Sequence, residues 1–581
     1  MRTSSFTAIA LCAALIVAGT TAALVKNDYF FSASYTVLQF VVLATAWNLL
    51  GGFTGYVNFG SAAFFALGAY SSIVLDKLLG APIALSILAG TAVAGLVGVG
   101  MGYLTLRLRG VFFAIATLAL AEVLFTFVVN WDYAGGARGA YVVLQGPPPL
   151  GFRSYVQFLF AIMALMAAFA VSVARFVQVS TLGRGLAAIR DDEVAAECSG
   201  VPTLRLKLIS TAASGGLMGM AGATFPYFLS YVEPHGVFSL SYAVNSIAMP
   251  LIGGMYDWAG PLLGALLLGG LQQALQVNVS ADWNLFLVGA LLVVFVTAAP
   301  DGIMGWTLRR GRTASRRPLG GHHFKTAPAC RSMVSPLASA PLLIAQGVTK
   351  RFGGFVALDG VDLSVGAGER VGLIGPNGSG KSTLVNCIAG TLRGTGSIRF
   401  DGRDLASLAP HRRIRLGIAR SFQIPRPFAS MSALDNLRIP LLYAARAHPL
   451  LQRSRGQETE EALGILRQVG LEAKAGHLSR ELTQVDMRKL ELARAIASRP
   501  KLLIADEAMA GLSPAEVDEI LAILLEMKGR GVAVILIEHM MRAVLRFSER
   551  IAVLVAGRKI ADGPPETVLR DPAVERAYLG Q

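Results

Sequence analysis

The octapeptide GPNGSGKS at residues 375–382 decides the fold of the C-terminal part of this chain. It fits the pattern G-x-x-x-x-G-K-[ST], in which glycines turn backbone N–H groups inward around phosphates. In this pattern the lysine, Lys381, reaches the β- and γ-phosphates of a nucleotide, and the hydroxyl of Ser382 ligates Mg²⁺. The residues predicted to bind the nucleotide are Gly375, Pro376, Asn377, Gly378, Ser379, Gly380, Lys381, Ser382 and Thr383.

The sequence around the octapeptide has the secondary structure that a phosphate loop needs. The apolar run 371–374 predicts a strand, and STLVNCIAG at 382–390 predicts a helix whose N-terminus faces the anion. From residue 342 onward, short apolar runs alternate with helical patterns. The sequence therefore predicts an α/β P-loop nucleotide-binding domain over residues 342–581.

Composition separates this domain from a very different N-terminal part. Residues 1–305 contain 12 Lys and Arg and 12 Asp and Glu, so they are neutral and sparsely charged. Residues 306–335 carry seven Lys and Arg and no acid. We expect an α-helical polytopic membrane domain over 1–305 and a basic cytosolic linker over 306–341. A basic cluster beside a membrane domain favours anionic membrane lipid as its partner and argues against nucleic acid.

The N-terminal part contains about ten apolar segments that are candidates for membrane-spanning helices. For the first of them, a cleaved signal peptide stays the alternative. Frequent glycines within the segments allow neighbouring helices to approach closely. The predicted spans are residues 6–25, 35–50, 60–79, 81–106, 110–130, 155–177, 207–231, 240–256, 259–277 and 284–300.

The distribution of basic residues predicts the orientation of these spans. ATP is cytosolic, so a domain that uses it belongs inside, together with the basic residues that precede it. In the ten-span arrangement, four spans back from there place the loop 182–207 inside, and the preceding loop 131–154 is then outside. The inner loop carries four basic residues and the outer loop two, which agrees with the positive-inside rule.

A second informative stretch is KLLIADE at 501–507, an apolar run that predicts a strand ending in two carboxylates. Asp506 is placed to hold Mg²⁺, and Glu507 is placed to polarise the water that attacks the γ-phosphate. Two acids that merely end a strand are the alternative interpretation.

Two further residues, Gln423 in SFQIP and His539 in ILIEHMM, complete a set that resembles the ATP-binding domain of ABC transporters. The resemblance covers about 342–581. It implies that Phe352 stacks on adenine, that Gln423 binds the nucleotide and senses Mg²⁺, and that His539 contacts the γ-phosphate. It assigns catalysis to Glu507, His539 and Lys381, and the metal to Ser382, Gln423 and Asp506.

The signature of that family, of the type L-S-G-G-Q, is replaced here by Leu482-Thr483-Gln484-Val485-Asp486. Val485 stands where the family has glycine, and its Cβ obstructs a close approach of the backbone to phosphate. Asp486 stands where the family has glutamine, and it adds negative charge. In the family, each ATP lies between one chain's phosphate loop and the other chain's signature. The departure therefore predicts one weak ATP site, and a heteromeric ATPase pair in preference to a homodimer.

Two segments of the N-terminal part resemble the permeases of branched-chain amino-acid ABC importers. They are WNLLGGFTGYVNFGSAAFFALGAY at 47–70 and LGRGLAAIRDDEVAAECSGVPTLRLK at 182–207. The resemblance spans nearly all of 30–305. It implies that 182–207 forms a short helix that docks into a groove of the ATPase, with an ordinary connecting helix as the alternative.

Together these resemblances imply a permease fused to its ATPase within a binding-protein-dependent importer. The expected function is ATP-driven uptake of a branched-chain or related hydrophobic amino acid, or a similar small solute. The expected location is a bacterial-type cytoplasmic (inner) membrane, with the ATPase domain in the cytosol. The implied partners are a second permease, a second ATPase chain and a solute-binding protein, and the implied cofactors are ATP and Mg²⁺. An ABC exporter of a small amphipathic molecule and a non-transport ATP-dependent membrane sensor stay open as alternatives.

Overall fold

A computed structural model describes residues 3–108, 110–142, 147–278, 281–299, 302–305, 341–445 and 457–579. The chain forms two compact units, the first of Met1–Arg190 and Leu204–Gly321, the second of Asp191–Thr203 and His322–Gln581. The second unit therefore takes in a short segment from within the N-terminal half of the sequence. The predicted linker 306–341 lies outside the described residues, except for Pro341.

The first unit is built of α-helices, because its long apolar runs carry few charges. In chain order, the helices of the N-terminal half are α1 (Thr3–Leu24), α2 (Asp28–Thr54), α3 (Ser61–Leu79), α4 (Ile83–Thr105), α5 (Val111–Val129), α6 (Tyr155–Val179), α7 (Thr181–Asp191), α8 (Glu193–Glu197), α9 (Thr203–Ala223), α10 (Phe225–Leu229), α11 (Pro234–Val237), α12 (Leu240–Gly253), α13 (Gly260–Asn278) and α14 (Ala281–Ala298).

Several of these helices are suited to a membrane. Within the described residues, six stretches are long and apolar enough to cross one, the last of them formed by α11 and α12 together: Asp28–Thr54, Ser61–Leu79, Ile83–Thr105, Val111–Val129, Tyr155–Val179 and Pro234–Gly253. Helices also occupy the other predicted spans, and the total of about ten stays a prediction. The most apolar part of α2 is largely buried inside the unit, whereas that of α4 and α5 is largely exposed.

Glycine lets two helices of the first unit pack backbone against backbone. A Cβ on Gly68 of α3 would lie 2.0 Å from the carbonyl oxygen of Gly219 in α9. One on Gly222 of α9 would lie 1.9 Å from the carbonyl oxygen of Phe65 in α3. Any side chain at these positions would push the two helices apart, so the glycines noted in the sequence serve close helix packing.

One end of the first unit contains interrupted helices. The sequence predicts a span over 207–231, but α9 ends at Ala223 and the short α10 follows, with Pro226 in its first turn. Proline lacks an N–H and cannot continue the hydrogen bonding of the preceding helix, which accounts for the break. Strand β2 (Tyr231–Val232) then pairs antiparallel with β1 (Ala140–Tyr141) before α11 and α12.

The second unit has the α/β architecture that the sequence predicts, with two sheets. Five strands of the larger sheet run parallel and β12 is antiparallel to β11. The strand orders are β12-β11-β5-β10-β9-β8 and β4-β3-β6-β7. Their bounds are β3 Leu343–Phe352, β4 Phe355–Val365, β5 Arg370–Ile374, β6 Thr395–Phe400, β7 Arg403–Asp404, β8 Ile418–Arg420, β9 Leu502–Asp506, β10 Ala533–Ile537, β11 Arg550–Val555 and β12 Arg558–Gly563.

The order of the parallel strands positions the candidate site. Strand β10 lies between β5 and β9, and Ile537 at its end is in register with Asp506 and Leu373. Because the carboxyl ends of parallel strands meet at one edge, the residues that follow these strands converge there. The helices of this domain are α15 (Lys381–Ala389), α16 (Pro410–Leu416), α17 (Ala433–Tyr443), α18 (Gln457–Gln468), α19 (Gln484–Ala497), α20 (Pro514–Gly529), α21 (Met541–Phe547), α22 (Pro565–Val568) and α23 (Pro572–Leu579).

Candidate active site

The octapeptide forms the connection between β5 and α15. Gly380 immediately precedes the helix with φ 101°, and a Cβ there would lie 2.6 Å from the carbonyl oxygen of Ala357. The buried Lys381 turns back over the loop, and its Nζ donates to the carbonyl oxygens of Gly375 at 2.8 Å and Pro376 at 2.9 Å. Burial lowers the pKa of the Lys381 ammonium below its ordinary value. A desolvated cation whose hydrogen bonds within the described residues go to backbone carbonyls is suited to an incoming phosphate.

Asp506, at the end of β9, is completely buried. Its Oδ2 accepts from Arg420 Nη2 at 2.8 Å, whereas its Oδ1 is buried without a hydrogen-bond partner among the described residues. A buried carboxylate oxygen with unmet acceptor capacity is costly unless a cation or donor completes it. Carboxylate and hydroxyl oxygens are the ligands that Mg²⁺ prefers, so Asp506 and the exposed Ser382 at the start of α15 fit such an ion.

Glu507 brings together two residues that are far apart in the sequence. Its Oε2 accepts from Gln423 Nε2 at 2.7 Å, and its Oε1 lies 3.1 Å from His539 Nε2. The backbone of Glu507 has φ 46°, a left-handed conformation that is strained for a residue with a side chain. Its N–H donates to the carbonyl oxygen of Ile537 at 2.9 Å, which holds the strained turn in place. The structure thus assembles three of the predicted site residues at one carboxylate.

Phe352 stands apart from this carboxylate cluster, at the end of β3. Its side chain is 45% exposed, and Lys350 Nζ lies 5.1 Å from the centroid of its ring. An exposed ring can stack on a planar base, as the sequence predicts for adenine. The structure gives no contact that tests this role.

Family models match both halves of the chain. The model described as "Branched-chain amino acid transport system / permease component" matches residues 29–296, and "ABC transporter" matches 358–510. A third, "Branched-chain amino acid ATP-binding cassette transporter", matches 558–581.

Curated proteins and solved structures resemble the second half. The high-affinity branched-chain amino acid transport ATP-binding protein BraF of Pseudomonas aeruginosa is 38% identical over 253 residues, 42% of this chain and 99% of that protein. LivG of Escherichia coli K12, of the same description, is 35% identical over 253 residues, again 42% of this chain and 99% of that protein. A crystal structure of a nucleotide-free ATP-binding cassette from an ABC transporter is 33% identical and covers 42% of this chain and 100% of its own, with a TM-score of 0.39.

The chain belongs to the branched-chain amino acid family of ABC transporters. The resemblances predicted from the sequence are therefore confirmed for both halves. This ABC transporter is a permease fused to an ATP-binding ATPase, whose activity is coupled to transport.

Two residues of the ATPase site, Arg420 and Glu538, are not among those predicted from the sequence. Arg420, at the end of β8, pairs with Asp506 and also donates to Asn386 Oδ1. Glu538, directly before His539, is buried and accepts from the N–H of Met509 at 2.8 Å. Burial raises the pKa of Glu538 to about 7. An acid at the end of the apolar run 532–537 is the signal that marks Glu538 in the sequence.

The variant signature of this ABC transporter forms the start of α19. Thr483 is the N-cap residue, and it forms a reciprocal capping box with Asp486. Asp486 Oδ2 accepts from Thr483 Oγ1 at 2.8 Å and from Lys474 Nζ at 2.5 Å. Burial opposes its ionisation, but these hydrogen bonds prevail and lower the pKa of Asp486. Lys474 thus compensates the negative charge of Asp486. The main remaining difference from the family signature is the half-buried Val485, which stands in place of glycine.

The segment Asp191–Thr203, which follows α7 in the sequence, packs within the second unit. The sequence predicts one short helix within 182–207, but the chain breaks between α7 and α8. Asp192 has an extended backbone, and its Oδ1 accepts from the N–H of Ala195 at 2.8 Å as the N-cap of α8. An N-cap residue has a non-helical backbone and starts a new helix through its side chain. Asp192 therefore ends α7 and begins α8, which explains the break.

Small residues bring this segment close to the nucleotide-binding domain. Ala195 and Ala196 are completely buried. Gly200 adopts φ 91°, and a Cβ there would lie 2.9 Å from the backbone nitrogen of Ala444. Larger side chains at these positions would separate the segment from the surface that it covers.

Polar contacts join the same segment to the loop that carries Gln423. Arg426 is three residues beyond Gln423, and its carbonyl oxygen accepts from Arg494 at 2.6 Å. The loop therefore reaches Glu507 at one end and the segment at the other. Hydrogen bonds from the loop to the segment include Ser430 N to Asp191 Oδ2 (2.7 Å) and Arg426 Nη1 to Asp192 Oδ2 (3.1 Å). Neighbouring helices add Arg494 Nη2 to Ser199 Oγ (3.0 Å) and Arg415 Nη2 to the carbonyl oxygen of Gly200 (3.1 Å).

Proposed function

We propose that this transporter uses ATP hydrolysis to take up a branched-chain or related hydrophobic amino acid across the cytoplasmic (inner) membrane. The observation that carries the proposal is the Gln423–Arg426 loop, which contacts both the candidate catalytic carboxylate and the segment Asp191–Thr203. Since that segment lies between two helices of the permease in the sequence, movement of the loop during hydrolysis is passed to the membrane domain. The family match to a branched-chain amino acid permease supports the solute class.

The ATPase residues have distinct roles in this proposal. Lys381 and the N–H groups of the phosphate loop hold the β- and γ-phosphates, and Ser382, Gln423 and Asp506 are the residues that would hold the metal ion. When bound, Mg²⁺ neutralises charge on the phosphate oxygens. Glu507 accepts a hydrogen bond from water and aligns it in line with the γ-phosphorus. The water oxygen bonds to phosphorus as the bond to the bridging oxygen breaks, which gives ADP and inorganic phosphate.

His539 has a positioning role within the same proposal. Its Nε2 lies 3.1 Å from Glu507 Oε1, so the imidazole fixes the carboxylate opposite the contact from Gln423.

We also propose the domain boundaries that the sequence predicts, with the permease over 1–305, the linker over 306–341 and the ATPase over 342–581.

The uptake proposal is tested by reconstituting the full chain with its partner subunits in proteoliposomes. We expect labelled leucine to accumulate inside when ATP is present on the ATPase side and a loaded solute-binding protein on the other. Lys381→Ala is the control, and it should abolish accumulation because the phosphates lose their main cation. ATP-dependent movement of solute away from the ATPase side would establish an exporter, and hydrolysis with no solute movement would favour a sensor.

The orientation is a second proposal, with 131–154 outside and the region around 182–207 in the cytosol. We expect a cysteine at the exposed Ala137 to react with an impermeant thiol reagent in intact cells. A cysteine at the exposed Arg205 should react only after the membrane is opened. Both variants are made with Cys12, Cys198, Cys330 and Cys387 replaced. The reverse pattern of labelling would contradict the topology.

The family implies a transport system with a solute-binding protein and further subunits. We infer that the assembly is heteromeric, with a second permease chain and a second ATPase chain. The departure at Val485 supports this, since a homodimer would carry the altered signature at both ATP sites. A partner with an ordinary signature would complete the site formed by Lys381 and Glu507 of this chain. Mass measurement of the purified assembly distinguishes one kind of chain from several.

A further inference from the structure

A partly open cavity of about 730 Å³ lies in the first unit, at the end where its helices are interrupted, and some of its lining residues, such as Tyr29 and Leu229, are exposed. Residues of α2, α10, α11, α12 and α13 line it. Its volume falls within the range typical of small-molecule sites in proteins, about 300–1,000 Å³. The site described above does not include it, because that site belongs to the second unit.

Gln39 of α2 is the residue that marks this cavity as a binding site. Its side chain is only 2% exposed, and it contributes to the cavity wall. Its Nε2 has no hydrogen-bond partner among the described residues. A buried amide donor without a partner is destabilising, and natural proteins satisfy nearly all such groups. The amide is therefore suited to donate to a polar group of a molecule that enters the cavity.

The rest of the wall defines the chemistry of that molecule. Aromatic rings form an apolar part, with Phe225 and Tyr242 at a centroid distance of 6.1 Å and Phe40 and Tyr242 at 6.2 Å. Ser239, the N-cap of α12, and Ser241 add hydroxyls at a helix N-terminus, where partial positive charge favours a carboxylate. The residues that line the cavity include no Asp, Glu, Lys, Arg or His.

We propose that this cavity is the solute site of the permease and that it takes an amino acid with an uncharged, apolar side chain. The carboxylate accepts from the Gln39 amide and lies near the start of α12. The α-ammonium donates to hydroxyl and amide oxygens of the wall, and the apolar side chain contacts the aromatic rings. A charged side chain would be desolvated against a wall without a counter-charge. This inference rests on the proposed uptake function. In the proposed topology the cavity lies toward the outer face, where a binding protein delivers solute.

The decisive variant is Gln39→Leu, measured in the reconstituted uptake assay. We expect leucine uptake to fall about tenfold, because one hydrogen bond to a charged group is lost. Basal ATPase activity should stay within error and the thermal unfolding midpoint should not fall, since the Gln39 amide donates no hydrogen bond in the described structure. Gln157→Leu is the matched control. Gln157 is equally buried on α6, but its Oε1 accepts from the N–H of Arg153, and it does not line the cavity.

A second variant, Ser241→Phe, tests whether a loss of uptake comes from the cavity and not from some other effect of changing Gln39. Ser241→Phe fills the cavity from an exposed position, and it should also lower uptake about tenfold with basal ATPase activity retained. Wild-type uptake together with normal uptake by both variants would overturn the cavity proposal and leave the uptake function standing. Absence of leucine uptake by the wild-type assembly would overturn both. A loss by Gln157→Leu as large as that by Gln39→Leu would also overturn the cavity proposal.

Discussion

Glu507→Gln is expected to lower the steady-state ATPase rate of the assembled transporter about 100-fold, equivalent to about 2.7 kcal/mol of activation free energy. The substitution keeps the size of the side chain, and the amide oxygen can still accept from Gln423 Nε2. It removes the negative charge that aligns and polarises the attacking water. ATP binding should be retained, because the phosphate loop and Asp506 are unchanged. The measurement is phosphate release by the reconstituted complex, with nucleotide binding measured in parallel.

Asp486→Ala is the contrasting variant for this experiment. Asp486 binds Thr483 and Lys474 within its own domain, and loss of the capping box should cost about 1 kcal/mol of stability. In a heteromer, the variant signature completes only the partner's ATP site, so the ATPase rate should change about threefold. An effect of Asp486→Ala as large as that of Glu507→Gln would show that this signature is active and that the two sites are not unequal. Thr483→Ala provides a second comparison at the same helix start.

Much of the ATPase site can be predicted from the sequence, because its parts are encoded locally. The octapeptide at 375–382 and the acids after β9 each lie at the end of an apolar run, and parallel strands place such ends at one edge. The contacts of Gln423 and His539 with Glu507 are not encoded locally, because they depend on the order of the strands in the sheet. The family resemblance named Gln423 and His539 as site residues, and only the structure shows that both contact Glu507.

Other features depend on contacts between distant residues and have no local signal. The pairing of Arg420 with Asp506 requires β8 to lie beside β9. The compensation of Asp486 by Lys474 requires the turn before α19 to fold back on the helix. The cavity around Gln39 forms only where five separate helices meet, so a single glutamine in an apolar segment cannot identify it. Two helices also end earlier than the sequence predicts. Pro226 follows the end of α9 at Ala223, and the capping side chain of Asp192 interrupts the helix predicted within 182–207.

Ala195→Trp is expected to reduce leucine uptake at least tenfold while basal ATPase activity stays within about twofold. Ala195 is completely buried within the segment Asp191–Thr203, and an indole there cannot be accommodated without displacing the segment. Overpacking of a buried site typically costs about 1–3 kcal/mol, enough to weaken the packing of the segment roughly tenfold or more. The ion pair of Asp192 with Arg426 would be lost with it, whereas Gln423 could still contact Glu507.

Comparing leucine uptake with ATPase activity distinguishes a loss of coupling between them from general damage to the protein. Ala187→Trp is the matched control, because Ala187 is only half-buried on α7 and lies before the segment that belongs to the second unit. Uptake and ATPase activity are measured on the same preparation, after assembly has been checked by size and subunit content. Hydrolysis that continues without uptake means that the segment transmits the movement of the Gln423 loop to the permease. Equal loss of both activities by Ala195→Trp in an assembled complex would instead assign the segment a role in the ATPase itself.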